Sequence, residues 1–173
     1  MRENKTVLEK DNIQIETMME HHWNQVKQIY EEGIATKIAT FQDGVGSYEE
    51  WDAGHSPSCR LVATSEGVVL GWVALSPVSG RCVYKGVAEV SVYIGKDYRG
   101  QKLGERLLNE VISLSEKEGY WTLQSGIIRE NLASRRLHET CGFRELGYRE
   151  KVGKMSTGIW HDVILMERRS KVL

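Results

Sequence analysis

Several things this chain lacks narrow what it can be. Its 173 residues include three cysteines, Cys59, Cys82 and Cys141, odd in number and widely spaced. No CxxC or CxxH pair exists, which argues against a zinc site and against a disulfide framework. Five histidines are scattered and only His21 and His22 are adjacent, poor geometry for joint ligation, so no metal is expected. No apolar run approaches about 18 residues, and the opening MRENKTVLEKDN is polar rather than signal-like. A membrane span is therefore not expected, and the cytoplasm is the default location. An excess of one charge is missing too: 23 Lys plus Arg stand against 24 Asp plus Glu, a formal charge of −1. Nothing global favours nucleic acid or an anionic membrane as partner. There is no internal repeat, low-complexity tract or linker.

What remains is ordinary for a globular enzyme-sized domain, with 40% hydrophobic and 27% charged residues. The length suits one domain that buries roughly two-thirds of its unfolded surface. We expect a polar extension over residues 1–12, a single domain over 13–168 and a short tail over 169–173. Residues 12–17 alternate as a first strand, and Trp23, Val26, Ile29 and Tyr30 mark one face of a helix over 20–32, with Gly33 as its stop. Ser47 and Glu50 form a capping-box pattern for a short helix through Trp51. Residues 61–64 and 68–76 read as a hairpin around Ser65-Glu66-Gly67, and 88–94 as a further strand. Helices over 103–118 and 131–141 bracket a strand over 121–128, in which Gly126 hints at a bulge or a close backbone approach; strands over 144–154 and 159–168 close the chain. The pattern is a mixed α/β (α+β) sheet with helices on its faces, strands 88–94 and 121–128 lying parallel.

Three constellations carry chemistry. In Arg99-Gly100-Gln101-Lys102-Leu103-Gly104 basic residues arrive where a helix begins, against the usual preference for acidic ones. Converging amides at a helix N-terminus beside Arg and Lys suit a phosphate-bearing ligand. This loop is neither a P-loop, lacking GKS or GKT, nor a GxGxxG dinucleotide fingerprint. On the second helix Asn131, Ser134 and His138 fall at i, i+3 and i+7, one face opposite an apolar stripe of Leu132, Leu137 and Cys141. The same spacing also fits a cap, a surface serine and an unremarkable histidine. Third, Glu89 is a lone carboxylate in an apolar strand. It either faces solvent or points into a cleft, where partial desolvation raises its pKa and makes it a usable base.

The succession EVSVYI, a polar turn, RGxxxG and NxxSxxLHxxxGF strongly resembles the GCN5-related N-acetyltransferase superfamily. Thr40-Phe41 with Trp51, AEVSVYI, LHETCGF and GIWHDV resemble its phosphinothricin (methionine sulfone) acetyltransferase branch, and the likeness runs from about residue 13 to 168. The resemblance implies a strongly bent central sheet of about six or seven strands. Its fourth and fifth strands splay apart and take acetyl-CoA, the cosubstrate, between them. It implies pyrophosphate contacts along Arg99, Gly100, Gln101, Lys102, Leu103, Gly104 and Glu105, pantetheine pairing along Val92, Tyr93 and Ile94, and further contacts from Asn131 and Ser134. Glu89 matches the proposed general base, and His138 stands where most members place a tyrosine acid. One departure is Lys102, where the superfamily pattern has a glycine; lysine still supplies its backbone N–H and adds a charge.

The chemistry fits these residues. Acetyl transfer to an amine needs a neutral nucleophile, yet a free amine near pKa ~9–10 is mostly protonated at neutral pH. Glu89 can take that proton directly or through water. An unpaired N–H at the splay can stabilise charge on the thioester carbonyl, and His138 is the candidate donor to the departing thiolate. The acceptor walls are expected from the segment Thr36–Phe41, with Thr40 and Phe41 singled out, and the loop Arg81–Tyr84; Arg81 suits an amino-acid carboxylate and equally a solvated surface. Trp160 and Asp162 match the branch's last motif, with packing and pocket roles both open. The expectation is an N-acetyltransferase for a small α-amino acid such as phosphinothricin, methionine sulfone or methionine sulfoximine, working as a homodimer as in the branch. The rivals are acetylation of another amine, such as a protein N-terminus or a polyamine, and a non-catalytic acyl-CoA-binding module.

Overall fold

A computed structural model describes residues 12–173; apart from Asn12, the expected N-terminal extension lies outside the described residues. The elements run β1 (Gln14–Thr17), α1 (Trp23–Ala35), α2 (Tyr48–Gly54), β2 (Arg60–Ser65), β3 (Val68–Pro77), β4 (Val87–Ile94), α3 (Leu103–Lys117), β5 (Thr122–Ile128), α4 (Leu132–Thr140), β6 (Arg144–Lys154) and β7 (Trp160–Arg169). Seven strands form one sheet in the order β1-β2-β3-β4-β5-β7-β6, and β4–β5 is its parallel pair. β7 reaches Arg169, one residue into the stretch read as a tail, and Ser170 after it is buried.

Alternation along the strands sends alternate residues to opposite faces. Val62, Trp72 and Ala74 pack with Trp23, Val26, Ile29 and Trp51 of α1 and α2. Leu61, Ala63, Val73, Leu75 and Val90 pack with Leu103, Leu107, Leu108 and Val111 of α3. The register of β2 on β3 slips between Ala63 and Thr64, which makes Leu70 an extra residue and turns it to the α3 face. On the α1/α2 face Trp72 stacks on Tyr93 at 4.9 Å and meets Trp51 edge-on at 5.7 Å. The indole N–H groups of Trp51 and Trp72 are buried without partners, a cost of about 1–3 kcal/mol each. Burial of two rings at 150–250 Å² apiece, worth about 4–6 kcal/mol each, outweighs it.

Two glycines differ from expectation. Gly33 does not stop α1, which runs on to Ala35; it sits buried inside the helix, where an added Cβ would lie 2.6 Å from the Tyr93 ring. Its role is close packing, which helical periodicity alone does not reveal. Gly126 makes no bulge, since β5 keeps regular register with β7 from Thr122 to Ile128.

Gly33→Ala therefore reverses the usual sign of a helical glycine replacement. We expect a loss of about 1–3 kcal/mol by urea denaturation from overpacking. At Gly54, where nothing lies within 4 Å, the same change is expected to be neutral or stabilising.

Candidate active site

β4 pairs with β3 along its whole length, Ala88–Ile94 against Pro77–Gly71, and β5 pairs with β7 from Thr122 to Ile128. Between them, β4 and β5 hold together only at Val87–Glu89 and Thr122–Gln124. Beyond that point the sheet parts, and a cavity of about 840 Å³ runs between Val90–Ile94 and Ser125–Ile128. A smaller cavity of about 420 Å³, polar and at the β1 edge, shares none of its residues.

On the α3 face the cavity is lined by Arg99, Gly100, Lys102, Leu103, Gly104 and Glu105. The first bond of α3 runs from Arg106 N to Lys102 O at 3.2 Å, so the amides of Leu103, Gly104 and Glu105 have no partner within the helix. Lys102 is the N-cap and adopts φ +61°, ψ +17°, the left-handed region. That conformation is why a glycine is at home here, and lysine holds it at a cost. Arg99 folds back, its Nε donating to Ile94 O at 3.1 Å. Gln101 belongs to the loop but not to the cavity wall. Turn geometry is secured from outside, with Gly95 N donating to Leu70 O and Lys96 N to Glu32 Oε2, at 2.9 and 2.8 Å.

Helix α4 packs on the same face, with Leu137 3.1 Å from a Cβ built at Gly104. Asn131 caps it, Oδ1 accepting from Ser134 N at 3.2 Å, which leaves the Asn131 amide NH₂ for the cavity it lines. Ser134 and His138 line the cavity too. Leu132, expected in the apolar stripe, is exposed, and His138 is buried instead, 1% exposed and edge-on to Phe143. Its Nδ1 lies 2.7 Å from the Ser134 carbonyl oxygen. A carbonyl only accepts, so Nδ1 carries the hydrogen and Nε2 presents a lone pair. That Nε2 is buried without a partner. Burial lowers the His138 pKa against the opposing pull of the Ser134 carbonyl, so the ring is neutral at pH 7. The expected donor to a thiolate is thus, in this tautomer, an acceptor.

The other face carries Glu89, Ser91 and Tyr93, paired across β3 with Ser76, Ala74 and Trp72. Glu89 lines the cavity and is exposed, so the partial desolvation considered for it is absent. Tyr93 and Tyr30 are driven to higher pKa by burial, with the nearby Thr40 hydroxyl opposing the rise in each. Thr40 and Phe41 line the cavity as expected, but within a strap over residues 36–43 that ties the two halves of the parted sheet. Thr40 lies near both tyrosines, the Phe41 ring fills the space a side chain at Gly153 would need, and Asp43 accepts from Ser156 Oγ at 2.6 Å. Val92, Tyr93 and Ile94 form the β4 edge of the cavity.

Arg81 and Tyr84 do not join the wall: they sit on an exposed turn, the guanidinium 5.6 Å over the Tyr84 ring. The loop over residues 78–86, between β3 and β4, carries no periodicity to fix its direction, so spacing could not place them. Trp160 is half exposed, and Asp162 organises β6 by accepting from Lys151 N at 2.7 Å and from the Tyr148 hydroxyl across a register shift. Both lie outside the cavity. The wall also includes Tyr30, expected only as part of a helix face, and Ser76, Tyr98 and His55, which no sequence signal singled out. Glu89 pairs with Ser76 by register, a relation that a hairpin expected only to residue 76 nearly exposes. Among the described residues no cluster of His, Cys, Asp or Glu could hold a metal, and no helix is long and apolar enough to cross a membrane.

A mixed sheet parted at its parallel pair, with an amide-rich helix start at the opening, defines an acyl-CoA transferase architecture. The family model described as Acetyltransferase (GNAT) family matches residues 23–143. A Bacillus subtilis (strain 168) protein named “Putative phosphinothricin acetyltransferase YwnH” is 33% identical over 148 residues, covering 83% of this chain and 90% of that one. The crystal structure of ribosomal-protein-alanine N-acetyltransferase from Brucella melitensis superposes with a TM-score of 0.82 at 27% identity, over 91% of this chain and 99% of that one. The structure of yncA from Salmonella typhimurium with its cofactor acetyl-CoA gives 0.81 at 25%, over 91% and 94%. The chain belongs to the GNAT family of acetyltransferases. It is an N-acetyltransferase, and acetyl-CoA is its cosubstrate. The residues present fit that molecule: an unsatisfied helix start for its phosphates, an unpaired strand edge for its amide-bearing arm, and an orphaned buried Nε2 on a cavity-lining histidine.

Two outcomes test this geometry. Lys102→Gly is expected to gain up to about 1 kcal/mol of stability by relieving the left-handed lysine, and to weaken CoA binding in calorimetry by removing a charge. For His138, the folded pKa lies below the ordinary 6.5, so the unfolded chain binds its proton more readily. Its stability contribution is complete above that value and declines as pH falls toward the folded pKa. The melting midpoint should drop between about pH 7 and 5 more steeply for wild type than for His138→Gln; equal slopes would remove the buried neutral histidine.

Proposed function

We propose that this enzyme acetylates the α-amino group of a small amino acid or analogue, such as phosphinothricin, methionine sulfone or methionine sulfoximine, by direct transfer in a ternary complex. One observation carries the reading. The parted sheet is lined on its α3 face by the loop amides, Arg99, Lys102, Asn131 and His138, and on its α1/α2 face by Glu89, Ser76 and the tyrosine-anchored strap. Donor and acceptor then approach from opposite faces and meet where β4–β5 pairing ends.

Acetyl-CoA supplies the activated acyl carbon when bound. The α3 amides with Arg99 and Lys102 hold its phosphates, and the free edge of Val92, Tyr93 and Ile94 aligns its arm, helped by Asn131 and Ser134. His138 Nε2 accepts a hydrogen from that arm, a role its tautomer permits. On the other face Glu89 removes the ammonium proton, through water given its exposure. An unpaired amide of the β4 edge steadies charge on the carbonyl oxygen, and the strap keeps amine and thioester together. The name of the Bacillus subtilis relative supports the amino-acid class. The Brucella melitensis likeness favours a second reading, a protein N-terminus as acceptor. The homodimer implied by the branch belongs to the same proposal; the edge strand β6 exposes Leu146, Tyr148 and Val152 and offers it a surface.

Thiol release with a panel of amino-acid analogues, peptides and polyamines separates these readings; turnover confined to peptides would overturn the amino-acid assignment. Glu89→Gln is expected to lower kcat at least about tenfold with CoA affinity unchanged by calorimetry, and an unaltered rate would remove Glu89 as the base.

A further inference from the structure

His55 belongs to none of the motifs considered above, yet it is among the most constrained side chains at the cavity. It follows α2, and its ring stacks on Trp51 with centroids 4.0 Å apart and planes 16° apart. Nδ1 lies 2.6 Å from the Trp51 carbonyl oxygen. Because that oxygen only accepts, Nδ1 holds the hydrogen and Nε2 keeps its lone pair. The His55 carbonyl in turn accepts from Arg60 Nη2 at 2.9 Å. Arg60 is itself buried and held by the Asp52 carboxylate and by the Ser56 carbonyl at 3.0 Å. Burial, with a smaller push from the Arg60 charge, keeps the His55 pKa below its ordinary value, and the Trp51 carbonyl and Asp52 only partly oppose this.

The fold brings His55 and Glu89 to the same end of the β3–β4 pair and to one cavity. Ser56 N donates to Leu75 O at 2.7 Å, which lays residues 55–56 along the end of β3. The next β3 residue, Ser76, is the cross-strand partner of Glu89. His55, Ser76 and Glu89 all line the one cavity, away from the Arg99–Glu105 loop. No protein group among the described residues bonds Nε2.

We propose that His55 is a second catalytic residue of the acceptor site, its Nε2 taking a proton from the ammonium of the incoming amine alongside Glu89. An imidazole is intrinsically a stronger base than a carboxylate by about two pKa units. The ammonium gives one proton, by way of the water that Glu89 polarises, to Nε2 and becomes the neutral amine. Its lone pair forms the C–N bond as the thioester C–S bond breaks, and a second N–H proton goes to the sulfur. His55 then returns its proton to solvent, the one proton the net reaction releases.

The inference rests on the reading that the amine enters over the Glu89 face, and its test uses whichever amine the wild-type enzyme acetylates. His55→Asn sets an amide NH₂ where Nδ1 stood, keeps the bond to Trp51 O and ends short of Nε2. We expect kcat/KM for the amine to fall at least about tenfold, with the melting midpoint and CoA affinity unchanged and with added imidazole restoring part of the rate as its unprotonated form increases. A rate within about twofold of wild type, or a loss that imidazole does not touch, overturns the assignment. Independently of turnover, long-range ¹H–¹⁵N correlations of labelled histidine should show the Nδ1–H tautomer for His55; an Nε2–H tautomer overturns it. Wild-type turnover of amino acids with an unaffected Asn variant sinks only His55. Peptide turnover with a crippled Asn variant sinks only the amino-acid substrate.

Discussion

Everything at this site depends on β4–β5 pairing that stops after Glu89 and Gln124. Each strand remains fully paired to its other neighbour, β4 to β3 and β5 to β7, so two well-ordered half-sheets diverge. A parallel pair released in this way exposes backbone donors and acceptors that sheets otherwise satisfy internally. Those unpaired edges are the chemical resource of the fold. The divergence is sustained by packing on both faces, α3 under Val90 and the Trp72–Tyr93 stack under α1 and α2.

A parted sheet is mechanically weak unless something spans it. The strap over residues 36–43 does so without a regular element of its own. Thr40 lies near Tyr30 and Tyr93 on one half, while Phe41 packs on Gly153 and Asp43 accepts from Ser156 on the other. Gly33 belongs to the same device, since its missing side chain lets the Tyr93 ring close against α1. The position of the acceptor wall is thus coupled to aromatic packing rather than to loop flexibility.

Both cavity histidines use one device. His55 and His138 each give Nδ1–H to the carbonyl four residues back, Trp51 and Ser134 respectively. A helix carbonyl so captured fixes ring orientation and tautomer together and leaves Nε2 as an acceptor. Burial keeps both rings neutral by disfavouring the charged form. The result is an acceptor Nε2 on each of two cavity-lining histidines, one following α2 and one on α4.

The linear order of residues determined the elements and their faces. Period-two alternation in AEVSVYI, the capping box at Ser47, the Asn131 cap and the apolar stripe of α3 are all local relations, and local geometry follows from them. The loop from Arg99 to Gly104 was legible for the same reason, since helix-end electrostatics acts within a turn. Tertiary structure alone decided that Lys102 takes a left-handed conformation, that Gly33 packs instead of capping, that Arg81 and Tyr84 turn outward, and that His55 and Glu89 line one cavity. Those outcomes depend on registers between strands remote in sequence, Ser76 with Glu89 and the Ser56 amide on Leu75. No periodicity encodes them, because pairing is chosen by the free energy of the assembled sheet rather than by neighbours along the chain.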